Sequence, residues 1–126
     1  MDSLLHGDLT DQILRCVVDV HRELGPGLAE FSYQTSLALE MTAQRIDFVR
    51  EQPLAVRYRN VVVGWHRPDF IVEDKVVVEL KAVSRIDPVF AKQMLTYLKV
   101  ARMRVGLLIN FNVPSMANEG IRRFVL

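Results

Sequence analysis

Arg67-Pro68-Asp69-Phe70-Ile71-Val72-Glu73-Asp74-Lys75-Val76-Val77-Val78-Glu79-Leu80-Lys81 is the stretch on which the fold turns. Two runs of β-forming residues flank the polar Glu73-Asp74-Lys75, which spells a β-hairpin. Side chains alternate along a strand, so Glu79 and Lys81 share one face and Leu80 points into the core. A Glu and a Lys on one face of so apolar a strand need a partner or a metal, because interior charge is costly.

One residue of register decides whether Asp69 joins them. With a three-residue loop, Val72 pairs with Val76, and Asp69 pairs with Glu79 on the same face. A two-residue loop sets Asp69 opposite Leu80, on the wrong face. Two carboxylates so placed repel unless a cation lies between them. Hard oxygen donors suit Mg²⁺ or Mn²⁺, with the Leu80 carbonyl as a further ligand. Such a cation would acidify a water and offset charge on a phosphoryl oxygen, and Lys81 would orient that water or neutralise that charge. From these residues alone, a surface ion pair on an exposed strand face reads the same way.

Downstream of the hairpin, Asp87-Pro88 predicts a helix start, with Asp as N-cap and Pro at the first helical position, running to about Ala101. Gln93 and Tyr97 lie four apart on it and share a face, where they could hold a phosphate or the attacking water, or form an ordinary helix face with polar tips. Phe90, Met94 and Val100 supply its apolar packing. Residues 104–111 read as a buried strand, 112–120 as a loop and 121–126 as an edge strand. Upstream, residues 9–24 have helical spacing (Ile13, Val17, Val20, Leu24), with Asp8 or Thr10 as cap. Gly25-Pro26-Gly27 breaks that helix, and a second runs from about 28 to 45 with Leu28, Leu37 and Met41 towards the core. In its first turn Glu30 offers a third carboxylate, or simply an acid favoured by the helix dipole. Residues 48–58 and 61–72 read as strands joined by a turn at Arg59-Asn60, with a third strand over 76–83. The order predicts an α/β fold with a mixed sheet flanked by helices.

Asp69, Glu79-x-Lys81 and Gln93-x-x-x-Tyr97, in that order, resemble the PD-(D/E)XK nuclease superfamily and its RecB-like branch. His21-Arg22-Glu23-Leu24, Gly27-x-x-Glu30-x-x-Tyr33, Val78-Glu79-Leu80-Lys81-Ala82 and Leu107-Leu108-Ile109-Asn110-Phe111-Asn112 are similar to the small bacterial GxxExxxY proteins. The resemblance runs from Leu9 onward. It implies a restriction-endonuclease-like αβββαβ core with an extra N-terminal helix. It implies Asp69, Glu79 and Glu30 as metal ligands, Lys81 as the catalytic lysine, and Gln93 and Tyr97 as an accessory pair.

The bulk properties fit one domain over residues 1–126. Half the residues are apolar and a quarter are charged, as in a globular protein. The net charge of +1 does not mark a polyanion binder, so a nucleic-acid surface requires local clustering. Arg57, Arg59 and Arg67, with Lys92, Lys99, Arg102 and Arg104 and the terminal Arg122-Arg123, are candidates for phosphate contacts or for an ordinary solvated surface. The lone Cys16 excludes an internal disulfide and fits a reducing cytoplasm. Met1 to Asp8 shows neither a basic start nor a sustained apolar run, so no signal peptide is expected, and no window suggests a membrane span. His6, His21, His66 and Cys16 lack the spacing of a transition-metal site. His66, three residues before Asp69, reads as solvent-facing or structural before it reads as a phosphate contact, and Trp65 as core or rim. The expected function is a divalent-metal-dependent nuclease acting on DNA, aided by a homodimer or a larger partner. The alternative is a binding or regulatory module that kept the fold and lost turnover.

Overall fold

Two helices come first in the computed structural model, which describes residues 4–126. The expectation about a leader, read from Met1 to Asp8, lies partly outside them. Helix α1 (Gly7–Leu24) buries Ile13, Val17 and Val20 on one stripe. His6, not Asp8 or Thr10, precedes its first turn, and the Thr10 hydroxyl instead donates to the Gly7 carbonyl at 3.1 Å. The helix stops at Gly25 (φ 68°), and Gly27 (φ 102°) turns the chain back; both angles suit glycine. Helix α2 (Glu30–Ala43) buries Tyr33, Leu37 and Met41 at steps of four. Leu28 precedes it and is exposed, contrary to its expected place in the core.

The strands differ from the expected three. The run over 48–58 divides into β1 (Phe48–Arg50) and β2 (Leu54–Tyr58), and the run over 61–72 into β3 (Val61–His66) and β4 (Phe70–Val72). Arg50 pairs with Phe70 and Leu54 with His66, so one antiparallel register continues across the gap. Pro53 and Pro68 stand in the two gap segments and have no N–H to give a ladder. Glu51, beside them, takes a left-handed φ of 52°. The ribbon therefore breaks into a sheet part (β1, β4) and a separate two-stranded part (β2, β3). Its tip at Arg59-Asn60 has positive φ at both residues, as the expected two-residue turn requires.

Strand β5 (Val76–Lys81) pairs with β4 through a three-residue loop, with Val72 opposite Val76. Glu73 and Asp74 turn that loop with φ of 50° and 54°. Helix α3 (Pro88–Ala101) then crosses over to β6 (Val105–Asn110), which runs parallel to β5. The Asp87 carboxylate accepts from the Val89 N–H at 2.8 Å and caps α3 as expected. The stretch 112–120, expected as a loop, contains a single π-helical turn (Met116–Gly120) before the edge strand β7 (Ile121–Val125). The five-stranded mixed sheet has the order β1-β4-β5-β6-β7.

Helices cover both faces of this sheet. Val76, Val78, Leu80, Leu107 and Ile109 pack against α1 and α2. Val77 and Leu108 pack against Met94 and Leu98 of α3. The Met94 side chain of α3 occupies the space that a Cβ on Gly106 would take. Glu79 and Lys81 continue the Val77 row and emerge on the α3 side, where that helix stops covering the strand.

Candidate active site

The ladder between β4 and β5 ends at Phe70 and Val78. Beyond it, side chains take over the pairing. The Asp69 N–H donates to Glu79 Oε1 at 2.8 Å, and the Leu80 N–H donates to Asp69 Oδ2 at 2.7 Å. Since N–H and C=O of one strand residue point to the same side, the Leu80 carbonyl also faces Asp69. The next carbonyl, that of Lys81, faces the other way and accepts from the Phe111 N–H at 2.9 Å. The Lys81 ammonium lies 4.4 Å from the centre of the Phe90 ring, a cation–π contact that holds the stem beside Glu79. Asp69, Glu79 and Lys81 therefore gather at one end of the sheet.

Their charges interact. Burial, with Asp69 beside it, pushes the Glu79 carboxyl up to about 7. Burial also raises Asp69, against the hydrogen bonds from Leu80 and Gln34 and the attraction of Lys81. Glu30 opens on the same cleft of about 250 Å³ as Asp69. Partial burial of its carboxyl raises it, although the residue as a whole is exposed; Lys81 opposes the rise and Asp69 adds to it.

Several contributors had only a faint signal in the sequence. Gln34 Nε2 donates to Asp69 Oδ1 at 2.8 Å, and the Gln34 carbonyl oxygen accepts from Arg50 at 2.6 Å. This chain of bonds ties α2 and β1 to Asp69. Gln34 stands four residues after Glu30, a spacing that shares a helix face, whereas Arg50 carried no mark. Asn110, opposite Lys81, accepts from the Val83 N–H and donates to the Val83 carbonyl, fixing the chain just past the lysine. His66 is not solvent-facing. Its ring stacks on Tyr97, with centroids 3.2 Å apart and planes at 12°, and Nε2 lies 3.9 Å from Glu79 Oε1. Burial lowers His66 to about 4, so the ring is neutral, and among the described residues Nε2 has no hydrogen-bond partner. Burial, then the nearby Glu79, raises Tyr97.

Of the accessory pair, Tyr97 reaches the site, whereas Gln93 lies one turn earlier with its side chain exposed and not hydrogen-bonded to any described residue. Tyr33 is buried instead of reaching the site. Its hydroxyl donates to the Gly25 carbonyl at 2.6 Å and accepts from the Leu28 N–H at 3.1 Å, while its ring stacks on Phe111. The Gly25-to-Tyr33 pattern thus has a folding explanation: it closes the turn that presents Glu30.

The donors suit a hard divalent cation. Each Asp69 oxygen accepts one hydrogen bond and keeps further lone pairs, and Mg²⁺ is commonly held by one or two carboxylates with retained water. Among the described residues no group of three or more His, Cys, Asp and Glu side chains converges on one point, so Glu30 does not close a three-carboxylate cage.

A sequence profile of the PD-(D/E)XK nuclease superfamily matches residues 7–124. The chain belongs to that superfamily. A solved structure similar to it is the crystal structure of an alkaline exonuclease (LHK-Exo) from Laribacter hongkongensis. The two share 12% identity with a TM-score of 0.48, over 99% of this chain and 72% of that one. No curated protein matches the sequence. No helix among the described residues is long and apolar enough to cross a membrane.

Proposed function

We propose that the protein is a divalent-metal-dependent nuclease that hydrolyses phosphodiester bonds in DNA, with Asp69, Glu79 and Lys81 as its active site. The observation that carries this is the reciprocal bonding of Asp69 and Glu79 beside Lys81, at the point where the β4–β5 ladder gives way. Asp69, Glu79 and the Leu80 carbonyl would hold Mg²⁺ or Mn²⁺, and Glu30 lines the same cleft as Asp69. When bound, the cation supplies Lewis-acid stabilisation and a more acidic water.

The chain's own groups do the rest. Lys81 neutralises charge on the phosphoryl oxygens and orients the attacking water. Gln34, held by Arg50, keeps the Asp69 carboxylate in place. Tyr97 and His66 wall the site on the α3 side, and Gln93, one turn away, meets the phosphate chain at its rim. The test is cleavage of labelled single- and double-stranded DNA and RNA in Mn²⁺, in Mg²⁺ and in EDTA. Cleavage of DNA that EDTA abolishes supports the reading, and cleavage of RNA alone moves the substrate. A second reading, a nuclease-fold module that binds without turnover, draws on the absence of three converging ligands among the described residues; it predicts nucleic-acid binding with no cleavage in any metal.

A further inference from the structure

The β2–β3 ribbon leaves the main sheet and carries large apolar side chains into solvent. Its register sorts them. Leu54, Val56 and His66 share the face that leans on α3, where His66 stacks on Tyr97. Ala55, Arg57, Val62 and Trp65 share the opposite face. Trp65 is 61% exposed there, and Val63, in the bulge, is 62% exposed. At the tip Tyr58 is 59% exposed, with the Arg59 guanidinium 5.1 Å from its ring centre. A ribbon of two strands is only marginally stable by itself, so large exposed apolar groups there mark a contact surface.

Charge selects the occupant. Residues 52–68 and 88–118 contain no Asp or Glu, and they contribute Arg57, Arg59, Arg67, Lys92 and Lys99. The ribbon therefore presents basic side chains with no acid among them, and α3, which packs against β2, adds none. A second copy docking by two-fold symmetry would set one basic patch against another. A polyanion would be attracted. The aromatic placement then selects its form. A duplex hides its base faces, whereas an unpaired strand offers them for stacking on exposed aromatics beside basic side chains.

We infer that the β2–β3 ribbon is a docking platform for an unpaired nucleic-acid strand. Trp65 stacks on a base, and Arg57 and Arg59 meet phosphates. The direction of the strand, towards Asp69 at most about 14 Å of extended chain away, rests on the nuclease reading; the binding does not.

Trp65 is the only tryptophan, so its fluorescence reports the contact directly. The experiment titrates the protein in EDTA with an oligothymidylate and with a blunt duplex of the same length. The expected result is quenching and tighter binding with the single strand. Trp65→Ala should weaken that binding roughly 5- to 100-fold, the range for loss of one stacked base. Trp65→Phe should restore most of it, and Arg57→Glu should weaken it and flatten its salt dependence. Single-strand binding unchanged in Trp65→Ala would overturn the inference. So would quenching that follows protein concentration without DNA, which assigns the ribbon to a second copy. Tighter duplex binding without a fluorescence change would also overturn it. The two readings separate cleanly. Metal-dependent cleavage with an unaltered KM in Trp65→Ala removes the platform and keeps the nuclease. Trp65-dependent binding without cleavage does the reverse.

Discussion

Asp69 and Glu79 hold each other across the end of the β4–β5 ladder: Glu79 Oε1 accepts the Asp69 N–H at 2.8 Å, and Asp69 Oδ2 accepts the N–H of the residue after Glu79 at 2.7 Å. Each carboxylate is thereby fixed by the backbone that carries the other. Neither is free to swing into solvent, so their mutual repulsion in the folded protein is relieved only by a proton or a cation.

Divalent cations should therefore stabilise the protein by mass action. Mg²⁺ or Mn²⁺ should raise the melting temperature with rising concentration, and Glu79→Ala should remove the shift. A shift of equal size in that variant places the cation elsewhere.

The same repulsion sets a pH dependence in metal-free solution. Glu79 is raised from the usual 4.5 to about 7. Between those values the native state keeps a proton that the unfolded state has lost, so stability falls as pH rises through that window and the loss is complete above about 7. Glu79→Gln cannot ionise and still offers an oxygen to the Asp69 N–H. Its melting temperature in EDTA should match the wild type in acid and exceed it increasingly above about pH 5. His66, 3.9 Å from Glu79, contributes an opposite slope at lower pH, so the difference is read above about pH 7, where His66 is neutral in both states. Parallel curves would show that Glu79 is not the group responsible.

Tyr33→Phe should cost about 1–3 kcal/mol, because it removes two part-buried hydrogen bonds, to the Gly25 carbonyl and from the Leu28 N–H, each contributing about 0.5–1.5 kcal/mol. Denaturant unfolding measures this. A loss under about 0.5 kcal/mol would mean that water replaces the hydroxyl. Metal-induced stabilisation should survive in the variant, since Tyr33 does not touch the carboxylates.

Cys16 should resist thiol reagents in the native state. It is buried, and burial, with Glu40 and Asp19 adding to it, raises its thiol to about 11. Thiolate is then scarce at about pH 8, and labelling should follow unfolding. Rapid native labelling would show that α1 opens locally.

The β4–β5 hairpin was legible because a polar three-residue turn between runs of Val and Ile leaves one register that buries both. The Asp87-Pro88 helix start was legible because capping is local chemistry. The ribbon break was not read, although Pro53 and Pro68 were visible: each strand looks continuous until the register sets the two prolines in facing gap segments. The Arg50–Gln34–Asp69 bonds could not be read, because they join three elements distant in sequence. Of the readings open for His66, the structural one holds, but its partner could not be read for a similar reason. Its position in β3 is unremarkable until the ribbon folds back and lays the ring on Tyr97.

The most direct measurement of the central claim is the cleavage rate of Lys81→Ala against the wild type in Mn²⁺, on single-stranded DNA, with both melting temperatures recorded. Lys81 is half-buried at the sheet end, with its ammonium over Phe90 and no ion pair among the described residues. Its removal should thus abolish cleavage and leave the melting temperature within a few degrees of the wild type. Undiminished cleavage by Lys81→Ala, or loss of activity only in step with loss of the fold, would contradict a catalytic site at Asp69, Glu79 and Lys81.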